Sequence, residues 1–315
     1  MSPGSRDRSA DSGVNSETKQ QNLRLRAKMM RAVRRFFDDR GYMEVETPHI
    51  LSAPIPEPHI SYIETPRGVL HPSPELYMKQ LLASGYERIY QISRCFRAGE
   101  RGDRHLPEFT LLEWYCTGTD YRGLIEGCEA MIRSVAGELG FGSTIPFRGR
   151  EIGLDSPWDR VTVREAFGRY ASVSLDAALA SGRFEEILVG EIEPHLGHPR
   201  PMFLHDYPAS MASLSRLRAD DDSVCERVEL YIAGLEIANG FSELNDPKEQ
   251  RRRFERDLAA RERSGEPTFP LPEAFLRALS RMPEAAGIAL GLDRLAMVLT
   301  DQGRIDDVVA FVPES

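Results

Sequence analysis

No stretch of this chain stays apolar for the roughly 18 residues that crossing a bilayer takes, so no membrane-spanning helix is expected in its 315 residues. The opening "MSPGSRDRSADSGVNSETKQQ" also lacks an apolar segment, which excludes a secretory leader. Its Ser, Asp, Gly and Gln content reads as a disordered tail over residues 1–22. Cysteine is scarce: Cys95, Cys116, Cys128 and Cys225 show no Cys-x-x-Cys spacing. That argues against a disulfide or zinc framework and for free thiols in a reduced, cytoplasmic setting. Positive charge is outnumbered too, 40 Lys and Arg against 49 Asp and Glu for a net −9, which disfavours a broad nonspecific nucleic-acid footprint. What is present, 41% hydrophobic and 28% charged residues, is the composition of a soluble globular protein.

Apolar residues Leu25, Met29, Ala32, Val33 and Phe36 recur at a helical period. Gly41 ends that helix, and Pro48 punctuates the extended segment after it. Residues 52–58, "SAPIPEP", form a proline-rich loop. A helix starts near Pro74 and stops at Gly85. "RIYQISRCFR" and "EFTLLEWYCTG" read as strands joined by the charged tip "AGERGDRHLP". Residues 121–142 and 159–193 read as helical, and "PMFLHDYP" as a short strand. "CERVELYIAGLEIANGF" reads as a hairpin turning at Ala233-Gly234. A charged helix and then "GIALGLDRLAMVLT", strand into helix, complete the chain. Helices around mainly antiparallel hairpins predict an α+β fold.

Three segments carry chemistry. In the first hairpin, Arg97, Arg101, Arg104 and His105 crowd a mobile tip beside Phe109. Guanidinium groups bind phosphate oxygens bidentately and an aromatic ring stacks a base. Alone, the segment fits a solvated hairpin tip at least as well. In the second hairpin, a turn at Ala233-Gly234 places Tyr231 opposite Glu236, with Glu229 on the same face. Two like charges so placed repel unless a cation bridges them or one is protonated. Mg²⁺ with substrate phosphates is one solution; a solvent-facing set of strand acids is the other. Glu243 lies past Asn239-Gly240, where a bulge is expected, free to meet a substrate amine. In the third segment, Gly287, Ala289 and Gly291 allow a ligand close to the backbone, and Arg294 opens a helix within reach of phosphates.

In this order the segments resemble the class II aminoacyl-tRNA synthetase catalytic domain, whose sheet is antiparallel and flanked by helices. The family's first motif resembles residues 25–48, with Pro48 as marker. Its second resembles "FRAG…HLPEF" through Phe96, Arg97, His105 and Phe109, and its third resembles "GIALGLDR". "GLEIANGFSELND" and "PEFTLLEWY" are similar to lysyl-tRNA synthetases. Only a short polar segment precedes the first motif, where those enzymes carry an anticodon-binding barrel. The chain is therefore read as a catalytic domain alone, residues 23–315. That form, with "SPELYMKQLL", "FLHDYPASMASLSR" and Ala289 in place of a glycine, resembles the elongation factor P–(R)-β-lysine ligase family, the lysyl-tRNA synthetase paralogues.

The resemblance implies a ligase that activates (R)-β-lysine or lysine with ATP and Mg²⁺. It implies transfer to a lysine of elongation factor P, a post-translational modification with protein rather than tRNA as acceptor. It implies Arg97 on the α-phosphate, Phe109 and Arg294 around adenine, and His105 by the triphosphate. Ile237 and Gly291 join this ATP site. Glu229 and Glu236 correspond to the magnesium acids. Glu243 and Tyr115 correspond to the residues at the distal amine, Glu75 with Ser73 to those at the other amine, and Asn239 to one near the carboxylate. Gly99 stands where the second motif has an acid, so Glu100 is expected to substitute; Leu106 stands where relatives often have Asn. The Ala289 methyl is expected to narrow the pocket floor and favour the β-amine. A homodimer through the first motif is also implied. The rivals are a truncated lysyl-tRNA synthetase-like enzyme charging tRNA or another acceptor, and an inactive regulatory paralogue.

Overall fold

The computed structural model describes residues 17–312. Helix α1 runs from Glu17 to Asp38 and buries Met29, Ala32, Val33, Phe36 and Phe37, spacings that fall on one helical stripe. Gly41, just past its end, takes φ +71°. The tail expected over residues 1–22 needs correction in its last part. Residues 1–16 lie outside the described residues, but residues 17–22 are the first turns of α1. The cause is tertiary. Asn22 is buried and donates to the Asp307 carbonyl (3.1 Å), and Lys19 donates to the Asp306 carbonyl (3.1 Å).

After α1 come strand β1 (Met43–Glu44), helix α2 (Glu75–Leu82), strands β2 (Arg88–Phe96) and β3 (Glu108–Thr117), and helix α3 (Tyr121–Glu138). Strands β4 (Asp159–Thr162), β5 (Met202–Pro208), β6 (Val224–Ile232) and β7 (Leu235–Ser242) follow. Helix α4 (Pro247–Ser264), strand β8 (Ala285–Gly291) and helix α5 (Leu292–Leu299) complete the frame. Among the described residues these strands form one sheet of 8, ordered β1-β2-β3-β8-β7-β6-β5-β4. Its inner pairings are antiparallel, as expected of the α+β fold; the edge strands β1 and β4 pair in parallel.

Residues 159–193 are not helical throughout. Residues 159–162 are β4, and the helix starts at Val163, where Thr162 and Glu165 form a capping box. Helix α3 ends at Glu138, short of the expected residue 142, and Gly140 takes φ +88°. Among the described residues no helix is long and apolar enough to cross a membrane.

The sheet has two unlike faces. One packs against α1, α3 and α5 through residues such as Tyr90, Trp114, Leu230 and Ile288. The other faces α2, α4 and a cavity. The Ala233-Gly234 turn forms as expected, with φ +53° and +75°. The bulge does not fall at Asn239-Gly240. Tyr231 pairs with Glu236 and Leu230 with Ala238, so the extra residue is Ile237. Gly240 instead permits a close approach: a Cβ there would sit 2.6 Å from Ile288 Cβ, and its pairing with both neighbours stays regular.

Candidate active site

Register alone assembles the floor. One row across the cavity face reads Glu113, Ala289, Asn239, Glu229; the next reads Tyr115, Gly287, Phe241, Arg227. Helix α2 and the loop after β2 wall a cavity of about 820 Å³ over these rows. Ser73, Glu75, Arg97, Glu100, His105, Phe109, Tyr115, Glu236, Ile237, Asn239, Ala289, Gly291 and Arg294, candidates from the sequence, all line it. Glu229 and Glu243 do not. Both are buried behind the wall, 5% and 1% exposed.

One end is cationic. The Arg97 guanidinium lies 5.1 Å from the centre of the Phe109 ring, and its Nε is buried without a partner. Glu100 approaches Arg97 to 3.7 Å, carried there by the turn at Gly99, whose φ is +76°. Arg294 donates from Nη1 to the Glu236 carbonyl (2.8 Å) and to Glu236 Oε2 (3.0 Å). Its Nη2 lies 2.6 Å from His105 Nε2, which therefore accepts. Burial and then the Arg294 charge push the His105 pKa down, which keeps the imidazole neutral. Burial opposes the Glu236 charge, but Arg294 outweighs it and holds that carboxyl below its ordinary value. The aim of Arg294 is set by Asp293, which is buried, accepts from the Thr110 N–H (2.7 Å) and pairs with Arg26 (2.5 Å).

The hairpin tip is tied to distant parts of the chain. Arg101 pairs with Asp306 (2.9 Å), outside the cavity lining. Arg104 lines the cavity and donates to the Gly234 carbonyl (3.2 Å), and the Ile305 N–H donates to the Asp103 carbonyl (2.8 Å). These partners lie more than a hundred residues away in sequence, so local composition could not show them.

The fit for Mg²⁺ is uneven. Among the described residues no group of three or more His, Cys, Asp or Glu could hold a metal ion. Glu236 fits as one ligand beside phosphates: its carboxylate lines the cavity and its side chain is 35% exposed. Both Glu229 oxygens are engaged. Oε1 accepts from Arg227 (2.6 Å), and Oε2 from the hydroxyls of Tyr207 (2.5 Å) and Tyr231 (2.7 Å).

The other end is acidic. Glu75, Glu113 and Glu243 converge there with Tyr115, whose hydroxyl donates to Glu113 Oε2 (3.0 Å). Ser73 Oγ accepts from the Glu75 N–H (3.1 Å). Lys79 is buried between two of the acids, its Nζ 2.5 Å from Glu75 and 2.5 Å from Glu243. Burial pushes Glu113 up to about 8, helped by Glu75. Burial also raises Glu243 to about 8, Lys79 notwithstanding. Gly287 lines the cavity and also makes room for this group: a Cβ there would meet the Tyr115 ring at 2.1 Å and Glu243 Oε1 at 2.8 Å.

Sequence reasoning missed Glu113, Lys79 and Arg227. Two had a signal. Phe109 and Tyr115 were already candidates, and strand alternation from them passes through Glu113. Lys79 stands four residues after Glu75 on a helix, the spacing of an ion pair.

Comparison with known proteins agrees with this geometry. The family model for "tRNA synthetases class II (D, K and N)" matches residues 6–315. The chain is 39% identical over 308 residues to the elongation factor P–(R)-β-lysine ligase of Proteus mirabilis, covering 92% of this chain and 94% of that one. It is 38% identical to the same-named protein of Erwinia tasmaniensis over 312 residues, again 92% and 94%. It is 37% identical to the lysine–tRNA ligase of Moorella thermoacetica over 333 residues, which covers 97% of this chain and 68% of that one.

Proposed function

The chain belongs to the class II tRNA synthetase family, and from that membership we propose that it activates (R)-β-lysine with ATP and transfers it to a lysine side chain of elongation factor P. The observation that carries the reading is one cavity with opposite ends. Arg97 and Arg294 suit a triphosphate, and Glu75 and Glu113 in the lining, with Glu243 buried behind them, suit a substrate with two ammonium groups. A ligand lacking either ammonium leaves a buried carboxylate unpaired.

The amino-acid carboxylate attacks the α-phosphorus in line and pyrophosphate leaves. Arg97 orients and neutralises the α-phosphate, and Phe109 with Arg294 holds adenine, Arg294 also reaching the tail with His105. Glu100 stands in for the acid missing at Gly99. A Mg²⁺ ion held by Glu236 would neutralise phosphate charge there. Glu229 joins such a site only by releasing Arg227 or its tyrosines, and otherwise fixes Arg227 in the floor. In the second half-reaction the acceptor lysine amine attacks the acyl carbon and AMP leaves; Asn239 and Ala289 lie between the two ends, beside that carbon. Exposed Met43, in the first-motif region, and Ile50, just past it, support a homodimer. The chemistry fits a reduced, cytoplasmic compartment.

Mass spectrometry of elongation factor P after incubation with this protein, ATP and (R)-β-lysine tests the reading. One adduct on one lysine is expected. Identity with lysine–tRNA ligases supports a second reading, in which lysine is loaded on tRNA. An unmodified factor together with charged tRNA would replace the first reading by the second.

A further inference from the structure

Lysine is among the residues least often buried, because its ammonium must be paired when water is withdrawn. Lys79 has a side chain 1% exposed, and it does not sit at a fold junction remote from chemistry. It sits behind the acidic end of the cavity, one turn along α2 from Glu75, which lines it. Its Nζ is 2.5 Å from Glu75 Oε1 and from Glu243 Oε2, and 4.7 Å from the centre of the Phe241 ring. Both partners are acids that the proposed reaction gives to the substrate. Glu113 completes the group, with Oε1 buried and unpartnered.

We propose that Lys79 is a built-in ammonium that sets the charge of the amino-acid site, cancelling one of three carboxylates so that a substrate completes the cluster only with two ammonium groups. This rests on the diamino-acid reading above and deepens it. Ionised Glu75, Glu113 and Glu243 carry three negative charges, and Lys79 removes one. The two left over match a diamino acid, whose own carboxylate is consumed in acyl transfer at the other end. Without Lys79 the same substrate leaves one buried carboxylate uncompensated, and a proton must fill the gap.

The groups facing one another are Glu75 and Lys79 from α2, Glu113 and Tyr115 from β3, and Glu243 beyond β7. Burial opposes the Lys79 charge, but Glu243 and Glu75 outweigh it and raise its pKa, so it stays an ammonium. Glu113 and Glu243, both at about 8, hold protons near neutrality in the free protein. Substrate ammonium groups must displace those protons. Lys79 is thus a positioning residue that fixes how many protons leave.

ATP–pyrophosphate exchange with wild type and Lys79→Met, run from pH 6 to pH 9 with (R)-β-lysine, tests this. In the variant the KM for the diamino acid should rise about tenfold at pH 7, and its pH profile should move up by about one unit, the signature of one proton retained. A merely structural lysine would lower the melting temperature and leave the pH profile in place, and that outcome overturns the proposal. Should Lys79→Met fail to fold, calorimetry of (R)-β-lysine binding to wild type in two buffers of different ionisation enthalpy decides. Release approaching two protons at pH 7 supports the proposal, and release of one or none overturns it. Wild type that exchanges pyrophosphate with no diamino acid refutes the proposed function itself, a result distinct from exchange with an unmoved profile.

Discussion

Gly287→Ala is expected to damage amino-acid binding and spare ATP. The strand residue is not in a left-handed conformation, so alanine costs nothing in backbone terms. The added Cβ meets Tyr115 Cε1 at 2.1 Å, Cδ1 at 2.2 Å and Glu243 Oε1 at 2.8 Å. Carbon atoms rest about 3.5–4.0 Å apart, so the ring must move by about 1.5 Å. Strand β8 cannot yield instead, because Gly287 is paired on both sides, to Tyr115 and to Phe241. Tyr115 is 3% exposed but lines the cavity, so the space open to the displaced ring is the space the amino acid would fill. Overpacking of this kind costs about 1–3 kcal/mol; where the ring relieves it by entering the substrate's space, that cost falls on binding, about 5- to 150-fold in affinity. The prediction is a rise of that size in the KM for (R)-β-lysine in pyrophosphate exchange, with the KM for ATP within about twofold of wild type. The three atoms nearest the added Cβ belong to Tyr115 and Glu243, none of them to Arg97, Phe109 or Arg294. An unchanged amino-acid KM, or equal changes for both substrates, would refute the reasoning.

Arg294→Ala removes the donor to Glu236 and to His105 and should lower kcat/KM for ATP by about 10²–10³; titration of His105 by NMR should show its pKa rising toward the ordinary value, and an unmoved His105 counts against the contact. Asp293→Ala removes the carboxylate beside part-buried Arg26, which keeps Thr110 Oγ1 and the Val308 carbonyl, and leaves the buried Thr110 N–H without its acceptor; denaturant unfolding should report a loss of about 1–3 kcal/mol, whereas an unchanged stability contradicts the buried pairing. Glu113 and Glu243 have folded pKa values of about 8, above the 4.5 of an ordinary carboxyl. Their protonated forms therefore stabilise the fold fully below about 4.5 and progressively less as pH rises through about 8; melting of the ligand-free protein should occur at lower temperature at pH 9 than at pH 6, and the reverse order argues against burial of these acids. Ala289→Gly should narrow the preference for (R)-β-lysine over lysine by about tenfold, one methyl's worth of discrimination; an unaltered exchange ratio would detach Ala289 from that choice.

The elements that sequence made legible are those whose determinants are local. The α1 stripe, the Ala233-Gly234 turn and the alternating strands β2, β3, β6 and β7 each announce themselves within a dozen residues. The motif residues carried the cavity lining, because Arg97, Phe109 and Arg294 are recognisable types at family spacings. What failed was set by tertiary partners. Residues 17–22 look like tail until the Asp306 and Asp307 carbonyls receive Lys19 and Asn22. The bulge sits at Ile237 rather than Asn239, and Gly240 pairs regularly, close against Ile288. Glu229 was read through its parity with Glu236, which is right, but parity does not reveal that Arg227, Tyr207 and Tyr231 already hold it.

The misplaced bulge matters for the whole site. With the extra residue at Ile237, alternation runs unbroken from Asn239 through Phe241 to Glu243, so the acid and the neutral floor belong to one face. That face orders charge along the sheet. Arg97 and Arg294 lie at one end, Ala289 and Asn239 in the middle, and Glu75, Glu113 and Glu243 with Lys79 at the other. A diamino acid has its own charges in the same order, carboxylate first and ammonium groups behind. Reversed, it would press its carboxylate against three acids and its amines against two arginines. Orientation therefore follows from the field before any single contact is made. The balance of that field depends on Lys79, a residue that touches two of the acids and is itself hidden from solvent.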